Sequence, residues 1–199
     1  DFGLRDDFVG TCHGVIKRIA PDVQIVDITH GIPARAIVQG ALVLANTVPY
    51  MPVGVHLAVV DPGVGGARRP LALRDASGRL YIGPDNGLLI PAAEANGGIA
   101  EARELANPEY ALPSVSRTFH GRDLFAPAAV LLAGGEDPAA LGPAVGDPVR
   151  LPWPQADAGE GEVRGETLAA DPFGNLVTSI REGDLAGAEV AAAEVDGRP

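Results

Sequence analysis

The sequence predicts an α/β domain with a mainly parallel sheet over residues 1–150, followed over 151–199 by a linker and the start of a smaller β-rich domain. Two observations carry this. Apolar, strand-like runs alternate with helical periodicities over residues 1–135, the pattern of a layered α/β domain. Residues 136–161 are then rich in Pro, Gly, Ala and Asp, lack apolar periodicity and read as a linker or surface loop.

Taken in order, residues 6–20 read as a helix. Phe8, Cys12, Val15, Ile16 and Ile19 share one face, and Asp6 and Asp7 suit a helix N-terminus. Pro21 and Asp22 break the chain, and VQIVDI (23–28) reads as a buried strand. Residues 34–48 return to helix, with Ile37, Ala41, Leu44, Ala45 and Val48 on one side. GVHLAVVD (54–61) is a second strand, and LALRD (71–75) and LYIG (80–83) flank a Ser77-Gly78 turn. A helix is expected over 88–96, and a buried one from Arg122 to about Ala133, apolar nearly all round. EVRGETLAAD (162–171) and NLVTSI (175–180) read as two strands joined by Pro172-Phe173-Gly174. A first strand ahead of Asp1 and most of the C-terminal domain are expected to lie outside this sequence.

Composition narrows the function. The 199 residues are 46% hydrophobic and 21% charged, with a net charge of −11. That balance argues against nucleic acid, whose phosphates call for clustered Lys and Arg. Cys12 is the sole cysteine, so neither an intrachain disulfide nor a cysteine metal cluster can form, and its place on the apolar helix face suits a core residue. Neither a membrane-spanning run nor a signal peptide is visible, so a cytoplasmic location is the default expectation.

In open α/β sheets ligands gather at the carboxyl ends of strands. Polar clusters fall at such ends: Asp27 to His30, Asp61 to Gly66, and Pro84 to Gly87. Each also has a plain structural reading. DPGVGG reads as a tight turn, PDNG as a turn with Asn86-Gly87 at positive φ, Asp123 as a helix cap, and His13 and His56 as structural histidines. His120 differs, because it precedes a helix beside Gly121, Arg122 and Asp123. Asp61, Arg68 and His120 together can bind and polarise a water molecule: a carboxylate and an imidazole to orient it or take its proton, a guanidinium to stabilise developing hydroxide. Spacing leaves open a metal site on Asp61 and His120 with a further Asp or His, although Arg68 would repel the cation. A phosphate loop at Gly63–Gly66 is a weak match.

Six ordered segments resemble the S-adenosylmethionine (SAM) hydroxide adenosyltransferase family, the adenosine-forming SAM hydrolases related to fluorinase and chlorinase. They are DFGLRDDFVG (1–10), VQIVDITHGIP (23–33), VVDPGVGGARR (59–69), GPDNGLL (83–89), TFHGRDLFAPAA (118–129) and DPFGNLVTSI (171–180). The resemblance implies that Asp61, Arg68 and His120 are the water-activating triad. It implies that Asp1 holds the ribose hydroxyls, that Asp6 lies near the methionine amine, and that Phe173 and Asn175 face the adenine, with Asp171 at that motif's acidic position. Ala36 departs from relatives that carry Asp there. The resemblance further implies a homotrimer with active sites between subunits and no metal or redox cofactor.

The implied reaction is hydrolysis of SAM to adenosine and L-methionine, with His120 or Asp61 taking the water proton. Halogenating relatives lose the triad, since a halide has no proton to shed, so its presence points to water. The alternatives are a halide-using adenosyltransferase and a non-catalytic adenosine or SAM sensor, which would keep Asp1, Phe173 and Asn175 without needing the triad.

Overall fold

The computed structural model describes residues 1–159, 161–185, 187 and 189–197. The chain divides into two compact units at Leu151/Pro152. In the first, helix α1 (Phe8–Ile19) and helix α2 (Ile37–Thr47) precede strand β1 (Val55–Leu57). Strands β2 (Pro70–Asp75) and β3 (Leu80–Pro84), helix α3 (Ile90–Ala95) and strand β4 (Ile99–Glu104) follow. Helix α4 spans Ala126–Ala133.

The four strands form one mixed sheet in the order β1-β3-β2-β4. Only β1 and β3 run parallel; β2 is antiparallel to both β3 and β4. This corrects the expectation of a mainly parallel sheet, and the reason is loop length. Parallel neighbours need a crossover of about a dozen residues or more, whereas β2 and β3 are joined by a tight turn. Asp75 builds that turn, its Oδ1 accepting from Ser77 N at 2.9 Å and Arg79 N at 3.0 Å, while Gly78 takes φ +88°. Tyr81 Oη donates to Asp75 Oδ2 at 2.8 Å, so this buried carboxylate is fully engaged.

Two further expectations fail. VQIVDI (23–28) belongs to no hydrogen-bonded strand among the described residues. The segment packs against α1 on one side, with Lys17 Nζ donating to the Val23 carbonyl at 2.6 Å, and lines a largely apolar cleft of about 450 Å³ shared with the 54–60 stretch, across which no strand ladder forms. In the other case, β4 arises where no strand was expected. Its sequence IAEARE alternates small and charged residues and offers little apolar signal, yet pairing with β2 sets Leu71 opposite Glu104 and Leu73 opposite Ala102.

The core lies where α4 meets the sheet. Ala72, Ile82, Leu105, Phe125, Ala128 and Leu132 are all buried in one cluster. The alanines along α4 let its backbone approach closely, and its apolar character all round fits the burial of six of its eight residues. Part of the expected linker also joins this core. Leu141 and Val145 are buried, Asn107 N donates to the Leu141 carbonyl at 2.8 Å, and Val145 N donates to the Ala102 carbonyl at 2.9 Å.

The second unit contains two hairpins. Strand β5 (Asp157–Gly159) pairs with β6 (Glu162–Arg164), and β7 (Thr167–Ala170) pairs with β8 (Leu176–Thr178), each antiparallel. The single strand expected over 162–171 breaks at Gly165. A Cβ there would lie 2.6 Å from Ile180 Cγ1 and 2.7 Å from Ser179 Oγ, so close packing requires glycine. None of the described helices is long and apolar enough to cross a membrane.

Candidate active site

Beyond β1 the chain reaches Asp61 and folds into two successive tight turns, with Val64 N donating to the Asp61 carbonyl and Gly66 N to the Gly63 carbonyl. Gly65 adopts φ +72°, and a Cβ on it would sit 2.2 Å from the Arg117 carbonyl oxygen. The DPGVGG run is therefore more than a turn. Its glycine lets the loop carrying Asp61 and Arg68 dock against the loop that carries His120.

The second loop is held by Asp123. This buried carboxylate accepts from Ser116 N at 2.8 Å and from Arg122 Nε at 2.5 Å. It does not cap the helix, as its position had suggested; it ties residues 116–123 into a closed loop. The helix then opens with a π-type turn, in which Ala126 N donates to the Gly121 carbonyl. Such wide turns displace side chains from regular helical spacing and recur at functional sites. Gly121 lets Phe2 approach, since a Cβ there would meet Phe2 Cζ at 2.6 Å.

These loops bring Asp61, Arg68 and His120 into direct contact. Arg68 Nε donates to Asp61 Oδ1 at 3.1 Å and to Oδ2 at 3.0 Å, and its Nη2 also donates to Oδ2. The same Nη2 lies 2.8 Å from His120 Nδ1. The guanidinium stacks over Phe125 at 5.3 Å, and the Arg68 and Asp61 side chains are only 10% and 5% exposed. Because a guanidinium can only donate, Nδ1 must be the acceptor, and a neutral His120 carries its proton on Nε2. Burial, and then the Arg68 charge, hold His120 below the ordinary histidine value, against a weaker pull from Asp61 and Asp123. A metal on this carboxylate would face a guanidinium already bonded to both oxygens.

Asp61 and His120 line a cavity of about 210 Å³ together with Asp1, Phe2, Phe8 and Phe119. Asp1 is placed there by its backbone N, 2.9 Å from the Val59 carbonyl, and its Oδ2 accepts from Arg35 N at 3.3 Å. Phe2, Phe8 and Phe119 form a continuous aromatic wall, with ring centroids 6.0 and 5.7 Å apart, and Arg122 covers the Phe119 ring at 4.9 Å. Sequence reasoning missed this wall. Phe8 reads as a core helix residue, and nothing in the spacing of Phe2 or Phe119 marks them as lining. Behind Asp61, PDNG acts as support: Asn86 Nδ2 donates to the Val60 carbonyl at 2.8 Å, and of the Asn-Gly pair only Gly87 takes positive φ.

Asp6 is exposed and lines neither cleft. Phe173 and Asn175 belong to the second unit, where Phe173 is 90% exposed. Asp171 organises their turn, accepting from Phe173 N at 2.9 Å and Asn175 N at 2.8 Å.

The family model for the SAM hydroxide adenosyltransferase N-terminal domain matches residues 1–142. The chain is 52% identical over 178 residues to an (R)-S-adenosyl-L-methionine hydrolase of Salinispora arenicola, covering 88% of this chain and 68% of the relative. It is 31% identical over 212 residues to a fluorinase of an Actinoplanes species, covering 93% of this chain and 71% of that enzyme. Among solved structures, an uncharacterized conserved protein of Thermotoga maritima superposes with a TM-score of 0.83 at 37% identity, covering 90% of this chain and 69% of that one.

Proposed function

The chain belongs to the SAM hydroxide adenosyltransferase family, and from that premise we propose that it hydrolyses SAM to adenosine and L-methionine. The observation that carries the mechanism is Arg68 bonded at once to Asp61 and His120 beside a partly enclosed cavity. A water oxygen attacks the ribose C5′, a C–O bond forms, and the C5′–S bond breaks. Its electron pair returns to sulfur, which leaves as the neutral thioether of methionine. The sulfonium supplies the leaving group, so no general acid is needed there.

Water must lose a proton as it attacks. His120 Nδ1 already accepts from Arg68 and its Nε2 holds the ring proton, so Asp61, whose oxygens keep further lone pairs, takes that proton. Arg68 and the His120 Nε2–H stabilise the nascent hydroxide. The aromatic wall limits access of bulk water and strengthens these charges. Asp1, in the same cavity, holds the ribose hydroxyls. The roles of Asp6 at the methionine amine and of Phe173 and Asn175 at adenine rest on the family resemblance alone, as do the homotrimer with sites between subunits, the cytoplasmic location and the absence of a metal or redox cofactor from the chemistry.

Incubation with SAM and chromatography of the products tests the reaction. Adenosine forming without added halide is the expected result. Product that appears only with chloride or fluoride, or SAM binding without turnover, would overturn it.

A further inference from the structure

Outside the reacting group, two histidines and one carboxylate converge. His13 Nε2 lies 3.0 Å from Asp27 Oδ1, and His30 Nε2 lies 2.9 Å from the same oxygen. One ligating atom from each residue falls within 4.8 Å of the others. The three come from two parts of the fold. His13 sits on α1, whereas Asp27 and His30 are three residues apart in the segment after it. The His30 backbone is anchored by Gly3 N, which donates to its carbonyl at 2.8 Å.

We propose that His13, Asp27 and His30 bind one transition-metal cation of the Zn²⁺ class, at a site that shares no residue with Asp61, Arg68 and His120. The donor set is two imidazole nitrogens and one carboxylate oxygen, which suits borderline cations and not Mg²⁺ or Ca²⁺. Zinc bonds of about 2.0–2.2 Å in a tetrahedron put neighbouring donors about 3.3 Å apart. Each nitrogen therefore needs to withdraw from the oxygen by only a few tenths of an ångström, while the two nitrogens rotate to the same spacing. The side chains are 34%, 47% and 24% exposed, which leaves an open side for water as a fourth ligand. Among the described residues no lysine or arginine pairs with Asp27, so no fixed cation competes for its charge. The net charge of −11 favours cation approach. Bound there, the metal ties α1 to the segment that forms one wall of the larger cleft.

The site goes beyond the hydrolase reading and is tested without reference to it. Metal-free protein is titrated with Zn²⁺ by calorimetry, and with Co²⁺ followed by its visible absorption. One equivalent is expected to bind, and Zn²⁺ is expected to raise the melting temperature. Changing an outer partner of a metal ligand typically costs about 10–100-fold in affinity, so loss of a ligand in His13→Ala or His30→Ala should cost at least about tenfold. Asp27→Asn should act in the same direction. His13→Gln and His30→Gln serve where an alanine variant folds poorly. Absence of binding, or one-equivalent binding unchanged in these variants, would overturn the proposal. Adenosine formation measured on the same samples reports separately on the hydrolase reading.

Discussion

Replacing Arg68 by lysine separates the charge of the reacting group from its shape. Arg68 makes three hydrogen-bond contacts to Asp61 and one to His120 through a single planar fork. A lysine ammonium keeps the charge but is a point, and it cannot span both carboxylate oxygens and Nδ1. Removing one preorganised donor from a developing anion costs about 10²–10³ in kcat. Arg68→Lys is expected at the lower end, near 10², and Arg68→Ala at about 10³ or more. KM should move little, because Arg68 is assigned to the nucleophile and not to SAM. The alanine variant also leaves the Asp61 carboxylate, 5% exposed, without its cation, which should cost about 1–3 kcal/mol in a urea titration. It further removes the charge that helps depress His120, so the His120 titration followed by NMR should move to higher pH. Steady-state adenosine release, followed by chromatography, reads kcat and KM. Wild-type kcat in Arg68→Lys, or a change confined to KM in Arg68→Ala, would refute the assignment.

Gly65→Ala places a Cβ against the Arg117 carbonyl at positive φ and should lower stability by more than about 1 kcal/mol and reduce kcat, read by thermal melting and turnover. Ala36 stands at the N-cap of α2 without a side-chain bond, and that helix has no acidic residue in its first turn; Ala36→Asp should stabilise by about 0.5–2 kcal/mol in chemical denaturation. His56 and His120 both have folded values depressed, His56 by burial first and then by Arg79. In both, the unfolded state binds the proton more readily. Their contribution to stability is therefore full above the ordinary histidine value near 6.5 and is lost as pH falls through the folded value, and denaturation midpoints between pH 5 and 8 should follow that direction. Activity should decline on the same acid side, since a protonated Nδ1 cannot accept from Arg68.

The helices were legible because their signals are local. The face shared by Phe8, Cys12, Ile16 and Ile19 marks α1, and the all-apolar LFAPAAVLLA run marks α4. The sheet was less legible because pairing is not local. The Ser77-Gly78 turn was visible, but the antiparallel sense it forces on β2 and β3 has to be carried from the turn to the topology. β4 carries too little apolar contrast to announce itself, and it exists because β2 offers an edge. VQIVDI has every local mark of a strand, yet strand character needs a hydrogen-bonded neighbour, and a cleft lies where that neighbour would be.

The site was legible in its residue types and not in its protonation. A carboxylate, a guanidinium and an imidazole on three loop positions suggest water activation, but they leave two candidates for the base. The direction of one hydrogen bond separates them. Arg68 can only donate, so His120 Nδ1 accepts, the ring proton sits on Nε2, and the histidine faces an incoming oxygen as a donor. On the proposed mechanism the base is then Asp61. That choice also bears on the nucleophile. A halide arrives as an anion and meets a carboxylate with no proton to give it, whereas water arrives neutral and becomes charged only as Asp61 takes its proton, beside a guanidinium already in place.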